Sequence, residues 1–389
     1  MKASKIRFGT AVAAIALGAA VALSGCGGIN RGVDAALLLG DIRAGKEDSR
    51  LKRRTESPER FPVTYTIDSR DWQADRYRSG EPDRGPLVLV HGFTELGRRD
   101  PRLVEFAHSM ARSGFDVLVP ELPGLTELSV GTEEIDGIAD ALREATADGR
   151  STGVAAISFA AGPALLAAKK DDLVDRVAYV VVVGGYYDLI DAIRYATTGH
   201  DAGSGRLDPV PAPRREGKWV VLLGQLHNLE QMSDREALRE IAERRLEDEQ
   251  APIHDQEEEL SAEGQAVLDL ITNQDPERVE LIVDGLPASV REELEALDLA
   301  RRDLSPLQAR VVLIHGPDDR VIPVSHSERL KAALPERQAR LYRARGLDHV
   351  DVSPGIRGGW QLWRAAKTLL RIAEEDAGTR PDNRERTGN

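Results

Sequence analysis

Short apolar runs alternating with longer stretches of helical pattern constrain this chain more than any other feature. Pro86-Leu87-Val88-Leu89-Val90 is apolar throughout, as a strand must be when both faces of its sheet are covered. Phe115–Val119, Gly153–Ile157, Val177–Val183, Val311–Ile314 and a weaker Ala339–Tyr342 repeat the pattern. Helical segments lie between them at Arg102–Ser113, Glu133–Ala147, Phe159–Lys170 and Ser325–Leu334. Strand following helix in this way implies right-handed βαβ units and a doubly wound, mostly parallel α/β sheet. Ahead of it, Phe61, Val63, Tyr65 and Ile67 alternate with the period of a half-buried strand, and Trp72–Arg78 is its expected hairpin partner. The sheet then has about eight strands.

The alternation lapses from about Tyr186 to Asp303. One further strand-like run, Trp219–Leu223, stands among acidic helical segments at Asp234–Glu249 and Gln256–Thr272. Leu238, Ile241 and Leu246 can share one side of the first of these. We read 186–303 as a helical cap inserted between two strands of a core formed by 61–185 and 304–375. Residues 26–60 read as a tether with room for one helix around Ala35–Leu39. In the last helix Trp360, Trp363, Ala366, Leu370 and Ala373 can line one core-facing side, and the polar 376–389 reads as a disordered tail.

Three segments that follow expected strands carry chemistry. Gly153-Val154-Ala155-Ala156-Ile157-Ser158-Phe159-Ala160 runs from a strand through Ser158 into a helix. It resembles the nucleophile elbow of α/β-hydrolases, G-x-S-x-G, with Ala156 and Ala160 in place of the two glycines. Gly316, Asp319 and Pro323 match that family's acid turn, G-x-x-D-x-x-x-P; Asp318 is the neighbour and Asp188 the rival acid. Gly346-Leu347-Asp348-His349 matches its terminal G-x-x-H loop. The order Ser158, Asp319, His349 is the family's order. The resemblance covers about Phe61–Glu375 except the cap, and it implies an α/β-hydrolase sheet with the site at the strand C-termini. It also implies that Ser158 is the nucleophile, His349 its base and Asp319 the acid that orients the ring. Val90-His91-Gly92-Phe93 resembles the HG-x turn, so the Phe93 and Phe159 backbone N–H groups are the expected oxyanion donors. His91 then reads as a turn residue, His315 as a bystander, and Tyr186 and Tyr187 as either pocket residues or a core pair. The remaining histidines are scattered and no H-E-x-x-H occurs, so the reading includes no metal and no cofactor.

The N-terminus sets an expected location. Lys2, Lys5 and Arg7 precede an apolar run from Phe8 to Leu23, the layout of a secretory signal. At roughly 16 residues the run falls short of the about 20 that a membrane span needs. Leu23-Ser24-Gly25-Cys26 resembles the lipobox of bacterial lipoproteins. That resemblance implies cleavage after a signal peptide at 1–25 and acylation of Cys26, hence a body anchored by lipid outside the cytoplasm. Gly27, rather than Asp, favours the outer membrane in a Gram-negative host.

Cys26 is the only cysteine, so a catalytic cysteine, a disulfide and a Cys-ligated metal are excluded from the body. Removing 1–25, with three cations and no anion, takes the net charge from −13 to −16, which argues against nucleic acid as a partner. The leading reading is a serine hydrolase that cleaves small-molecule carboxylic esters through an acyl-enzyme. A peptidase of the serine aminopeptidase or prolyl oligopeptidase kind shares the same triad. A non-catalytic binding lipoprotein is the third reading, favoured by the missing elbow glycines and opposed by the intact acid and His segments. Nothing in the sequence sets an oligomeric state.

Overall fold

Two N-terminal strands, β1 (Glu59–Ile67) and β2 (Arg70–Arg78), form a hairpin. Its two-residue turn takes Asp68 and Ser69 to φ of 49° and 67°, as a type I′ turn demands. Six more strands follow: β3 (Pro86–Val90), β4 (Asp116–Pro120), β5 (Thr152–Ile157), β6 (Val177–Val183), β7 (Arg310–His315) and β8 (Ala339–Arg343). They make one eight-stranded sheet in the order β1-β2-β4-β3-β5-β6-β7-β8. Only β1 and β2 run antiparallel to their neighbours; β3 to β8 are parallel. The computed structural model describes residues 30–80, 83–203, 210–348, 351–352 and 356–378. The expected signal peptide at 1–25, Cys26 and the residues beyond 378 lie outside them.

The strands are buried on both faces. Val88, Val90, Val154, Val180 and Val182 point to helices Thr132–Ala145 and Ala161–Ala168. Leu87, Leu89, Ala155, Val181 and Val312 point the other way, toward helices Pro101–Arg112 and Ile356–Gly378. The expected tether is instead part of this second layer. A helix over 30–44 buries Ala35 and Leu38 there, and its fully buried Asp41 accepts from Ser109 (2.8 Å) and Arg112 (3.2 Å). In the last helix Ala366, Leu370 and Ala373 are buried as expected, but Trp360 is 55% exposed and stacks on Trp363.

Between β6 and β7 the elements among the described residues are all helical. Trp219–Leu223, expected as a strand, lies in helix Gly217–Gln225. An apolar run carries no period of its own, and here Trp219 and Leu222, one turn apart, are the buried side chains. The expected helix over Gln256–Thr272 is broken into His254–Glu258 and Ala262–Thr272, because the Ser261 hydroxyl accepts from the Glu263 and Gly264 N–H groups and caps the second piece. Leu238, Ile241 and Leu268 belong to the same apolar cluster as the β5 and β6 valines, so the insertion has no separate core. Among the described residues no helix is long and apolar enough to cross a membrane.

Candidate active site

β5 ends at Ile157, and Ser158 turns the chain into a short 3-10 segment, Ser158–Ala160, and then helix Ala161–Ala168. To do so Ser158 takes φ +59°, a left-handed backbone costing an L-residue on the order of 1 kcal/mol. The surroundings impose it. A Cβ on Gly92 would meet the Ser158 Cβ and the Ile157 carbonyl at 3.2 Å, so the turn after β3 lies against the elbow. The close approach expected of elbow glycines falls elsewhere: a Cβ on Gly185 would stand 2.5 Å from the Ala161 Cβ, and one on Gly162 1.9 Å from the Tyr186 hydroxyl. Ala156 and Ala160, fully buried, suffice at their own positions. Tyr186 is also fully buried and donates to the Leu297 carbonyl (3.0 Å), which makes it a core residue.

Asp319 follows β7 and is 1% exposed. Its Oδ1 accepts from the N–H groups of Val321 (2.8 Å) and Ile322 (3.0 Å), and its own N–H donates to the Gly316 carbonyl (3.2 Å). Asp318 is exposed. His315, expected as a bystander, is fully buried with Nε2 3.4 Å from the Asp319 Oδ2. Nε2 also lies 2.8 Å from the Ile322 carbonyl, which can only accept, so Nδ1 is left to accept from the Ser327 hydroxyl at 2.7 Å. His315 therefore buttresses the acid turn. The rival acid Asp188 is committed elsewhere: it caps helix Leu189–Thr198 through the Asp191 N–H (2.8 Å) and pairs with Arg329 (3.3 Å).

His349 lies outside the described residues. The chain on either side of it is held: β9 (Leu347–Asp348) pairs antiparallel with β10 (Asp351–Val352), and the Ala344 N–H donates to the His315 carbonyl (2.8 Å). Leu347 presses on the acid turn so closely that a Cβ on Gly316 would stand 1.7 Å from its carbonyl oxygen. Leu347, two residues before His349 in sequence, is thus packed on the turn that carries Asp319.

Ser158, Gly92, Phe93 and Phe159 line one cavity of about 1690 Å³. The Phe93 and Phe159 rings, from the two expected oxyanion-donor residues, stack at 5.0 Å on the wall of this cavity. His91, buried behind them, has its pKa pushed down by burial, and its Nδ1 is 2.8 Å from the Gly92 carbonyl. Ala192, Ala196, Val220 and Val221 bring the helical insertion onto the same cavity.

One group among the described residues has metal-ligand spacing: Asp191, Asp201 and His326, with ligand atoms within 4.8 Å of one another. A guanidinium already serves it. Arg329 bonds the Asp191 carboxylate at 2.5 Å and lies 3.4 Å from both His326 nitrogens. Burial and Arg329 push the His326 pKa down to about 3, so the ring is neutral; its Nδ1 accepts from the Tyr187 and Asp188 N–H groups. This cluster binds helix Val324–Ala333 to the chain after β6 and leaves no donor set waiting for an ion.

No protein-family model matches the sequence, and no curated protein matches it. Solved structures do resemble it. An acylaminoacyl peptidase from Pyrococcus horikoshii is 12% identical over 82% of this chain and 42% of that one, with a TM-score of 0.43. This chain thus spans about two fifths of that peptidase. A single-site variant of the rice cell wall degrading esterase LipA from Xanthomonas oryzae is 12% identical over 81% of this chain and 89% of that one, with a TM-score of 0.51. The chain has the α/β-hydrolase fold.

Within that α/β-hydrolase fold the loops after β3, β5, β7 and β8 hold the four segments read from the sequence. The sequence reading missed His315, Gly162 and Gly185. His315 stands four residues before Asp319 and directly before Gly316, a signal visible in the sequence. The two glycines carry none, because their roles depend on what packs against them.

Proposed function

We propose that the chain is a serine hydrolase acting on carboxylic esters. The observation that carries this is the left-handed backbone at Ser158, held at a strand-to-helix turn on the wall of a large cavity. A serine is kept in such a conformation when its position matters more than the local strain. In the reaction the Ser158 Oγ attacks the ester carbonyl carbon while the His349 imidazole takes its proton. Asp319 orients the imidazole and stabilises its charged form. The Phe93 and Phe159 N–H groups meet the developing oxyanion. Collapse expels the alcohol, protonated by His349, and water then releases the acid from the acyl-serine by the same steps in reverse. The insertion at 186–303 acts as a cap, since its residues share the cavity with Ser158.

A fluorophosphonate probe tests the proposal. Wild type labels and turns over short aryl esters faster than aminoacyl arylamides, and Ser158→Ala does neither. Turnover of arylamides alone makes it a peptidase; no labelling and no turnover leaves the binding-protein reading. We further propose lipid anchoring at Cys26, with the body outside the cytoplasm. Cys26→Ala then moves the protein from the membrane to the soluble fraction, and retention in the membrane refutes the anchor.

A further inference from the structure

The cavity at Ser158 is larger than the chemistry of a small ester requires. Ligand sites commonly run about 300–1,000 Å³, whereas this one reaches about 1690 Å³. Its extra length lies beneath the strand ends, between the sheet and the helices of the second layer. Leu89, Ala155, Val181 and Val312 form its floor. These four are mutual register partners on β3, β5, β6 and β7, so the floor crosses four strands, about 14 Å. A second row, Ile157, Val183 and Ile314, lies one pleat nearer the strand ends on the same face. The opposite wall is Leu362, Ala365, Ala366 and Leu369 of the last helix. Small side chains meet across the gap, Ala155 from the sheet and Ala365 and Ala366 from the helix, where larger residues would close it.

Charged lining comes from the insertion (Arg214, Arg215, Glu216), from Arg320 after the acid, from Arg43 and Lys46, and from Asp100, Arg102 and Glu105 at the start of helix Pro101–Arg112. The strand rows and the last-helix wall are apolar. An apolar cleft of this extent beside a reactive group suits an apolar portion of a ligand.

We propose that this space receives the acyl chain of the substrate, so that the ester cleaved at Ser158 is that of a medium- or long-chain fatty acid. This deepens, and rests on, the reading of Ser158 as an acylated nucleophile. The carbonyl sits at Ser158 between Phe93 and Phe159, and the hydrocarbon runs from there over Ala155 and Val181 toward the last helix. Each methylene that leaves water for such a surface contributes up to about a fourfold gain in kcat/KM.

The test is a series of p-nitrophenyl esters from acetate to palmitate, each below its aggregation threshold, on the full chain. The expected result is that kcat/KM climbs with chain length at least to laurate, chiefly through KM. Ala366→Phe should lower the laurate-to-acetate ratio at least tenfold, a ratio insensitive to how much of the variant is active. If that variant folds poorly, Gly359→Leu serves: Gly359 lines the cavity, and a Cβ there meets no atom within 4 Å. A rate that peaks at acetate or butyrate, or a ratio that neither variant changes, overturns the inference while leaving the hydrolase intact. A binding arm separates the two readings. Ser158→Ala should bind the fluorescent fatty acid cis-parinaric acid, laurate should displace it, and adding Ala366→Phe should weaken it at least tenfold. Failure of Ser158→Ala to bind the fatty acid overturns the acyl site even if Ser158 proves reactive. Binding without any labelling of wild type upholds the acyl site and sinks the hydrolase.

Discussion

Gly316→Ala isolates the contact on which the arrangement of acid and base depends. Its backbone φ lies outside the left-handed region, so space alone excludes a side chain there. The added Cβ would stand 1.7 Å from the Leu347 carbonyl oxygen and 2.9 Å from its carbonyl carbon. Both are backbone atoms, so no rotamer change relieves the clash. Reaching even a close carbon–oxygen contact of about 3.3 Å requires the two loops to part by about 1.6 Å. Overpacking of this kind costs about 1–3 kcal/mol. The displacement separates the Asp319 turn from the chain that leads into His349, and an error of about 1 Å in catalytic geometry is worth about 100-fold in rate. With p-nitrophenyl butyrate as substrate, kcat should therefore fall about 100-fold while KM changes little. The melting temperature should fall by about 2–8 °C. Asp318→Ala, an exposed change in the same turn, is the control and should retain activity within about threefold. If Gly316→Ala turns over ester at the wild-type rate, the packing of Leu347 on the acid turn does not set the catalytic geometry.

The other predictions test strain, support and protonation. Ser158→Gly should resist urea better than Ser158→Ala by about 1 kcal/mol, because only glycine takes φ +59° without cost; equal stability would show that the elbow is unstrained. His315→Ala should lower kcat at least about tenfold and stability by about 2–4 kcal/mol, since it removes the buttress of Asp319 and unpairs the buried Ser327 hydroxyl. Activity within a few-fold of wild type would return His315 to a bystander. The Asp298 carboxyl is pushed up to about 6 by burial and by the nearby Asp188 carboxylate, so its protonated form stabilises the fold at low pH. That contribution is present below about pH 4 and is lost as pH rises through 6. Asp298→Asn keeps an oxygen to accept from Leu189 and Ala300, so it should match wild type at pH 4 and exceed it by about 1–3 kcal/mol at pH 8. A constant difference across that range in thermal melts would refute the assignment.

The strands were legible because burial on both faces leaves a local mark. Val177–Val183 is a strand over the expected residues, and the other apolar runs outside the insertion are strands to within a residue or two. The order of Ser158, Asp319 and the G-x-x-H loop could be read for a related reason: each follows a strand end, and from β5 to β8 the strands lie in the sheet in chain order. What the tertiary structure alone decided was everything that depends on which surfaces meet. Trp219–Leu223 is apolar in either conformation, and the neighbouring insertion helices made it a helix. The 30–44 helix reads as part of a tether until Asp41 meets Ser109 and Arg112. Ala156 and Ala160 looked like defects in a motif, but the tight contacts had moved to Gly162 and Gly185, against residues more than twenty positions away. The cavity beneath Ser158 is the extreme case, because Ala155 and Ala366 leave room only when β5 and the last helix face each other. Sequence carries the periods of burial and the residues that do chemistry; distances between segments, and the volumes left between them, exist only once the layers have packed.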